Sequence, residues 1–147
     1  MKNGTILLVE DNPDDELLTT MALKKSNVCN DIHVVHDGAE ALEYLFASGA
    51  YAERNINDLP AVVLLDLQLP KIHGLEVLRR IREHDVTNTM PVVVLTSSDE
   101  ERDMVKSYKL GANSYVRKPV DFEEFNEAVR QLGLYWMLVN DHLPGPR

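Results

Sequence analysis

The sequence of 147 residues contains a single cysteine, Cys29, and lacks long apolar segments. One cysteine excludes an intrachain disulfide and a zinc site built on several cysteines. Uninterrupted apolar runs, such as residues 61–65 and 134–139, fall far short of the roughly 20 residues that a membrane-spanning helix needs. Glu10 and Asp11 interrupt the first apolar stretch, which argues against a signal peptide. We therefore expect a soluble, cytoplasmic protein that does not interact with membranes.

The chain has few basic residues relative to acidic ones. The chain has 24 acidic side chains against 15 basic ones, which gives a formal net charge of −9. Because nucleic acids are polyanions, this balance argues against direct nucleic-acid binding. Hydrophobic residues make up 44% of the chain, which is enough for a core, and the length fits one domain. The sequence thus predicts a single globular domain.

Short apolar runs rich in β-branched residues alternate with segments of helical periodicity. The predicted strands cover residues 5–9, 32–35, 61–65, 91–95 and 114–116. A helical pattern follows each of them, and the last helix is expected to begin near Asp121. This order predicts an α/β fold in which helices cover both faces of a five-stranded parallel sheet.

Polar residues follow four of the predicted strands, at the point where each strand ends. Glu10 and Asp11 end the first strand, Asp66 the third, Thr96 the fourth, and Lys118 comes just after the fifth. Functional groups of open parallel sheets collect at the carboxyl ends of the strands. We therefore expect three carboxylates, a hydroxyl and an ammonium group to converge on one edge of the sheet.

The three carboxylates would repel one another unless a cation lies among them. An all-oxygen ligand set without histidine or cysteine favours Mg²⁺, which is bound by few carboxylates together with water and phosphate oxygens. The hydroxyl of Thr96 and the ammonium group of Lys118 are both suited to binding phosphoryl oxygens. The sequence therefore predicts a magnesium-dependent phosphoryl site.

Four segments carry a resemblance to a known family. They are residues 6–13 (ILLVEDNP), 63–74 (VLLDLQLPKIHG), 94–97 (VLTS) and 115–119 (YVRKP). Together they resemble the receiver domain of two-component response regulators. The resemblance covers roughly residues 4–132, which leaves residues 133–147 as a C-terminal extension. It implies a doubly wound, flavodoxin-like fold with strand order 2-1-3-4-5.

The resemblance also implies a role for each site residue. Asp66 would accept a phosphoryl group from a phosphohistidine of a sensor histidine kinase. Metal ligation would fall to Asp11, Asp66 and the backbone carbonyl of Gln68, with Glu10 acting mainly through bound water. After transfer, Lys118 and Thr96 would contact the phosphoryl group. Phosphoryl transfer generally requires this combination of positioning and charge neutralisation.

Further expectations concern switching. Tyr115 stands where the family keeps a switch aromatic, which would turn inward when Thr96 moves toward the phosphoryl group and so change the surface around the last strand. The Lys118–Pro119 peptide bond is expected to be cis, as in family members. Asp14 and Asp15 follow Pro13 and are expected to favour the positive end of the first helix.

The partners follow partly from the resemblance and partly from the C-terminal residues. The stretch before Pro60 and the aromatic ending around Trp136 suggest the small regulators paired with bacterial phytochrome-type histidine kinases. The aromatic ending is expected to form a homodimer contact. A downstream protein or a further phosphotransfer partner would receive the signal. Residues 48–60 are either a kinase-recognition element or a tolerated surface insertion.

Three other functions share parts of this pattern. A phosphatase of the haloacid dehalogenase type shares the strand-end aspartate, but it needs a second aspartate two residues on, where this chain has Gln68. A flavodoxin would have a phosphate-binding loop after the first strand, where Glu10 and Asp11 would repel a phosphate. A receiver-fold module that works without phosphorylation is the remaining alternative. We expect a protein that catalyses its own modification and is not a turnover enzyme.

Overall fold

The computed structural model describes residues 4–25, 30–97 and 101–131, along which five strands alternate with five α-helices. The strands are β1 (Ile6–Val9), β2 (Ile32–Val35), β3 (Val62–Asp66), β4 (Val92–Thr96) and β5 (Ser114–Arg117). The helices are α1 (Pro13–Lys25), α2 (Gly38–Phe46), α3 (Gly74–Glu83), α4 (Glu101–Lys109) and α5 (Phe122–Gln131). A short 3₁₀ turn, Gly49–Tyr51, lies between α2 and β3.

The strands form one parallel sheet in the order β2-β1-β3-β4-β5, which confirms the predicted fold. The register aligns the strand ends, because Val9 of β1 lies between Val35 of β2 and Leu65 of β3. One residue further, Asp66 lies beside Leu95 of β4. The residues that follow these strands therefore share the carboxyl edge of the sheet.

Both faces of the sheet are buried. Alternate residues of the central strands enter different apolar clusters, so that Leu8 and Leu64 pack toward α1 and α5, whereas Leu7 and Leu65 pack toward α2 and α3. All four side chains are completely excluded from solvent. Burial on two faces explains why these strands are continuous apolar runs and do not alternate apolar with polar residues.

The bounds of β2 match the predicted ones, and the other four strands differ from them by one residue. The first, third and fourth strands begin one residue later than the apolar runs suggest, and the third, fourth and fifth end one residue later, at Asp66, Thr96 and Arg117. The backbone ladder extends through these polar residues because each has a neighbour in register, Leu95 for Asp66 and Arg117 for Thr96. The ends of the strands are therefore set by pairing, whereas the prediction followed hydrophobicity.

Within residues 48–60, Tyr51 and Arg54 contact α2, and Tyr51 also contacts His33 of the edge strand β2. The hydroxyl of Tyr51 donates a hydrogen bond to Oε2 of Glu40 at 2.7 Å. The guanidinium of Arg54 lies 4.0 Å from the ring centroid of Tyr44. The stretch is thus attached to α2 by specific contacts, and its recognition by a kinase stays a prediction.

Several expectations fall on residues that the structure does not describe. Cys29 and the C-terminal extension, residues 133–147, lie outside the described residues. The homodimer contact expected around Trp136 therefore stays a prediction. Within the three described ranges, no helix is long and apolar enough to cross a membrane.

Candidate functional site

Three acidic side chains meet at the carboxyl edge of the sheet. Glu10 and Asp11 follow β1, and Asp66 is the last residue of β3. One carboxylate oxygen from each lies within 4.8 Å of the other two. Glu10 and Asp66 are buried, while Asp11 is exposed and forms the solvent side of the group. The topology thus brings carboxylates from two neighbouring strands into one cluster.

The loop after β3 holds Asp66 in place. The backbone N–H of Gln68 donates a hydrogen bond to Oδ1 of Asp66 at 3.1 Å. The loop then turns back, and the N–H of Gly74 donates to the carbonyl of Leu67. A Cβ atom on Gly74 would lie only 2.4 Å from the carbonyl oxygen of Asp66, so only glycine permits this approach.

Lys118 brings the positive charge of the site. Its Nζ atom lies 2.9 Å from Oε1 of Glu10, 2.8 Å from Oδ2 of Asp15 and 3.1 Å from Oδ2 of Asp66. The side chain is only 7% exposed. The peptide bond between Lys118 and Pro119 is cis, as the resemblance implied. One ammonium group therefore uses its three N–H donors on three carboxylates.

Burial and charge shift the protonation equilibria of this cluster. Burial raises the pKa of Glu10 to about 7, against the opposing hydrogen bond from Lys118. Burial alone would lower the pKa of Lys118. The hydrogen bonds to Asp15 and Glu10 and the charge of Asp66 outweigh that effect, so the pKa of Lys118 is raised. Lys118 is therefore charged at neutral pH, while the Glu10 carboxylate is poorly compensated.

The cluster fits a divalent cation. Its potential ligands are all carboxylate oxygens, the donor type that hard cations such as Mg²⁺ and Mn²⁺ bind. Burial and, to a smaller extent, the charge of Asp66 raise the pKa of Glu10, and a cation bound among the carboxylates would oppose that shift. Glu10, Asp11 and Asp66 are thus suited to hold such an ion.

Of the other expected site residues, only Gln68 contacts this cluster in the part of the chain that the structure describes. The backbone of Gln68 contacts Asp66 through its N–H group, and its carbonyl is the group expected to bind metal. Thr96 ends β4 at the same edge of the sheet, but its side chain lies outside what the structure describes. Tyr115 on β5 is half-buried and packs against the apolar cluster on the α2 and α3 side. The roles of Gln68, Thr96 and Tyr115 stay predictions.

One residue of the site was not expected. From the sequence, Asp15 is expected to favour the helix N-terminus, but in the structure its carboxylate contacts Lys118. Its position in the first turn of α1 could have indicated that it lies near the site, because that turn begins at the same edge of the sheet as Asp11. Sequence alone does not show toward which neighbour a first-turn side chain points.

Comparison with known proteins identifies relatives of the chain. Residues 6–130 match the family model described as the response regulator receiver domain. The chain is 39% identical over 141 residues to the probable methanogenesis regulatory protein FilR2 of Methanothrix harundinacea, which covers 96% of this chain and 88% of that protein. It is 36% identical over 132 residues to response regulator Rcp1 of Synechocystis, which covers 90% and 88%, respectively.

Solved structures are also similar. The bacteriophytochrome response regulator RtBRR is 50% identical, with a TM-score of 0.85 over 99% of this chain and 86% of that chain. A Mn²⁺-bound form of Rcp1 has 35% identity and a TM-score of 0.74, covering 91% and 94%. The phosphorylated cyanobacterial phytochrome response regulator RcpA has 38% identity and a TM-score of 0.75, also covering 91% and 94%. The similarity thus extends over nearly the full length of each chain.

Proposed function

This chain belongs to the response regulator receiver domain family, and we propose that Asp66 accepts a phosphoryl group from a phytochrome-type sensor histidine kinase. The observation that carries the proposal is the contact between Lys118 Nζ and Asp66 Oδ2 at 3.1 Å, inside a cluster of carboxylates suited to a divalent cation. Phosphorylation-based signalling fits the relatives, among which RcpA is known in a phosphorylated form.

The chemistry follows from the groups around Asp66. An oxygen of Asp66 attacks the phosphorus of the phosphohistidine, so that an O–P bond forms and the P–N bond breaks, its electron pair returning to the imidazole. Lys118 then donates a hydrogen bond to the phosphoryl group, and Thr96 is proposed to donate a second one. Because the reaction mainly redistributes charge, fixed positive charge and positioning account for the rate. The chain modifies itself once per phosphoryl group and does not turn over a separate substrate.

Receiver domains bind a divalent metal at an acidic pocket, and we propose Mg²⁺ as the ion for this chain. Glu10, Asp11, Asp66 and the backbone carbonyl of Gln68 would hold it. When bound, the ion neutralises charge on the transferring phosphoryl group. The all-oxygen ligand set supports this choice, since Mg²⁺ keeps several waters and needs only a few carboxylates.

The phosphoryl group is proposed to act through Thr96 and Tyr115. Movement of Thr96 toward the phosphoryl group would free space for the ring of Tyr115, which is half-buried beside the apolar cluster. A change in this ring alters the surface of α4, β5 and α5, where a downstream protein or phosphotransfer partner would bind. Replacing Tyr115 with alanine should uncouple partner binding from phosphorylation without preventing phosphorylation.

An apolar face next to the site is suited to receive the histidine kinase. Leu17, Leu18 and Met21 of α1 are 60%, 46% and 48% exposed. Leu18 and Met21 line a groove together with Pro119, which follows Lys118 in the chain. A helix carrying the phosphohistidine could bury this face while its histidine approaches Asp66.

The kinase contact has its own test. The variant Leu18→Glu should slow phosphorylation by an autophosphorylated phytochrome-type kinase and leave phosphorylation by acetyl phosphate unchanged. Met104→Glu, which alters an exposed side chain on α4, is the matched control. Equal transfer from the kinase to both variants would contradict this docking surface.

Phosphorylation itself is tested by intact mass spectrometry after incubation with acetyl phosphate. We expect one added phosphoryl group that requires both Mg²⁺ and Asp66, so that a chelator or the variant Asp66→Asn abolishes it. The control Asp85→Asn alters an exposed carboxylate outside the site and should be phosphorylated normally. Failure of the wild-type protein to gain mass in the presence of Mg²⁺ would favour a module that works without phosphorylation.

The C-terminal extension is proposed to form a homodimer contact. Aromatic and aliphatic side chains in residues 134–139 are typical interface material. The variant Trp136→Ala should lower the mass measured by light scattering from dimer to monomer, whereas Tyr108→Ala on α4 should not. A monomeric wild-type protein, with or without phosphorylation, would rule out this contact.

A further inference from the structure

Asp15 is a third partner of Lys118 that neither the metal cluster nor the proposed transfer reaction requires. Its Oδ2 atom lies 2.8 Å from Nζ of Lys118, the shortest of the three contacts that this ammonium group makes. Glu10 is completely buried and Asp66 is 4% exposed, whereas Asp15 is 34% exposed. Asp15 is therefore the most solvent-exposed of the three carboxylates that bind Lys118.

The start of α1 fixes the position of Asp15. The side-chain oxygen of Asn12 accepts hydrogen bonds from the backbone N–H groups of Asp14 at 2.9 Å and Asp15 at 3.1 Å, which caps the helix. The N–H of Asn12 in turn donates to Oε2 of Glu10 at 3.2 Å. Glu10, Asn12, Asp15 and Lys118 thus form a closed ring of contacts, in which the helix N-terminus also favours a charged carboxylate.

The geometry restricts where the ammonium group can point. A lysine ammonium has three N–H donors on a flexible chain and has no intrinsic direction. With two donors held by Glu10 and Asp15, the third is directed at Oδ2 of Asp66. After transfer, the same donor would face a phosphoryl oxygen attached to Asp66.

We propose that Asp15 is a positioning residue for phosphoryl transfer, which acts by orienting Lys118 toward Asp66. The inference rests on the proposed phosphorylation of Asp66. Without the carboxylate of Asp15, Lys118 keeps its charge but gains freedom to turn away from the reacting oxygen. The rate of transfer should therefore fall even though Asp15 contacts neither the metal cluster nor the phosphoryl group.

The neighbouring Asp14 is a matched control. It lies in the same first turn of α1 and carries the same charge, but it is exposed and makes no ion pair within the part of the chain that the structure describes. If Asp15 served only to favour the helix N-terminus, the two residues would be equivalent. Neutralising each in turn separates orientation of Lys118 from a general effect of charge.

The experiment measures the rate of phosphorylation by acetyl phosphate at saturating Mg²⁺, by intact mass, with circular dichroism to verify folding. We expect Asp15→Asn to slow the reaction about tenfold, because the ion pair with Lys118 is weakened to a hydrogen bond with a neutral amide. Asp15→Ser should have a similar effect, which guards against a defect specific to asparagine. Asp14→Asn should change the rate less than twofold.

A double variant tests whether Asp15 acts through Lys118. In a Lys118→Ala background, Asp15→Asn should cause no further slowing, because the group that it orients is gone. Equal rates for Asp15→Asn and Asp14→Asn, or an undiminished effect in the Lys118→Ala background, would overturn the inference and leave the proposed function intact. A wild-type protein that is not phosphorylated would instead overturn the proposed function and the inference with it.

Discussion

Two basic side chains are withdrawn from solvent at opposite edges of the sheet, and their partners differ in kind. Lys118 at the carboxyl edge binds three carboxylates, in a site whose total charge would change on metal binding or phosphorylation. Arg82, near the end of α3, lies at the amino edge, where it binds backbone and amide oxygens. One edge therefore concentrates charge, and the other joins segments of the chain.

The contacts of Arg82 connect three parts of the fold. Its Nε atom donates to the carbonyl of Gly111 at 2.9 Å, Nη1 to the carbonyl of Met90 at 2.6 Å, and Nη2 to Oδ1 of Asn113 at 2.8 Å. Among the described residues, no carboxylate forms an ion pair with Arg82, and burial lowers its pKa. Gly111 has a φ of +99°, and a Cβ atom there would lie 2.9 Å from Nε of Arg82.

The difference between the two edges reflects the chemistry of the two side chains. A lysine ammonium is a compact charge that exchanges one oxygen partner for another, whereas a planar guanidinium holds several oxygens in fixed directions. Lys118 therefore suits a site whose charge changes during function, and Arg82 suits a permanent connection. Substitutions at the two positions should affect different properties of the protein.

The largest effect is expected from removing the charge at the carboxyl edge. Lys118→Ala should lower the rate of phosphorylation by acetyl phosphate about a hundredfold, the scale of losing one preorganised group that stabilises developing charge. Lys24→Ala, at an exposed position of α1, is the control and should react normally. A rate for Lys118→Ala within twofold of the wild-type rate would contradict the role given to this edge.

The amino edge should respond in stability. Arg82→Ala should lower the free energy of unfolding by about 2–3 kcal/mol, because several partly buried oxygens lose a charged donor. Arg80→Ala on the same helix removes only an exposed ion pair with Glu76, so its effect should be much smaller. Urea denaturation measures both variants, and phosphorylation of folded Arg82→Ala should proceed at nearly the wild-type rate.

The two edges should also differ in their response to pH in the presence of a chelator. The pKa of Glu10 is raised from 4.5 to about 7 in the folded protein. Since the folded state keeps this proton to higher pH than the unfolded state, the free energy of unfolding should fall as pH rises from about 4.5 to about 7. Glu10→Gln should flatten this slope in urea denaturation, whereas Arg82→Ala should shift the curve without changing its slope. A slope that is identical in wild type and Glu10→Gln would contradict the prediction.

The smallest effect concerns the shape of the cation. Arg82→Lys keeps the charge but loses the planar guanidinium group, whose nitrogens bind several oxygens at once. We expect a loss of about 1 kcal/mol in the free energy of unfolding. The reciprocal variant, Lys118→Arg, should be more harmful to phosphorylation than to stability. If Arg82→Lys had the same free energy of unfolding as the wild type, the positive charge alone, and not the planar guanidinium group, would account for the connection.

The two edges also differ in how far they could be predicted from the sequence. The carboxyl edge was predictable because parallel topology assigns strand-terminal residues such as Asp66 and Lys118 to one place. Asp15 was missed because its contact depends on the direction of a side chain in a capped helical turn. The contacts of Arg82 were not predictable, because every residue has a backbone carbonyl oxygen and the sequence does not indicate which of them bind a side chain.

The most direct test of the account locates the phosphoryl group. After phosphorylation by acetyl phosphate in the presence of Mg²⁺, borohydride reduction converts an aspartyl phosphate to homoserine, which tandem mass spectrometry assigns to a residue. We expect homoserine at position 66 and at no other acid of the carboxyl edge. Homoserine at Asp11 or Asp15, with Asp66 unmodified, would contradict the central claim that Asp66 is the phosphoryl acceptor.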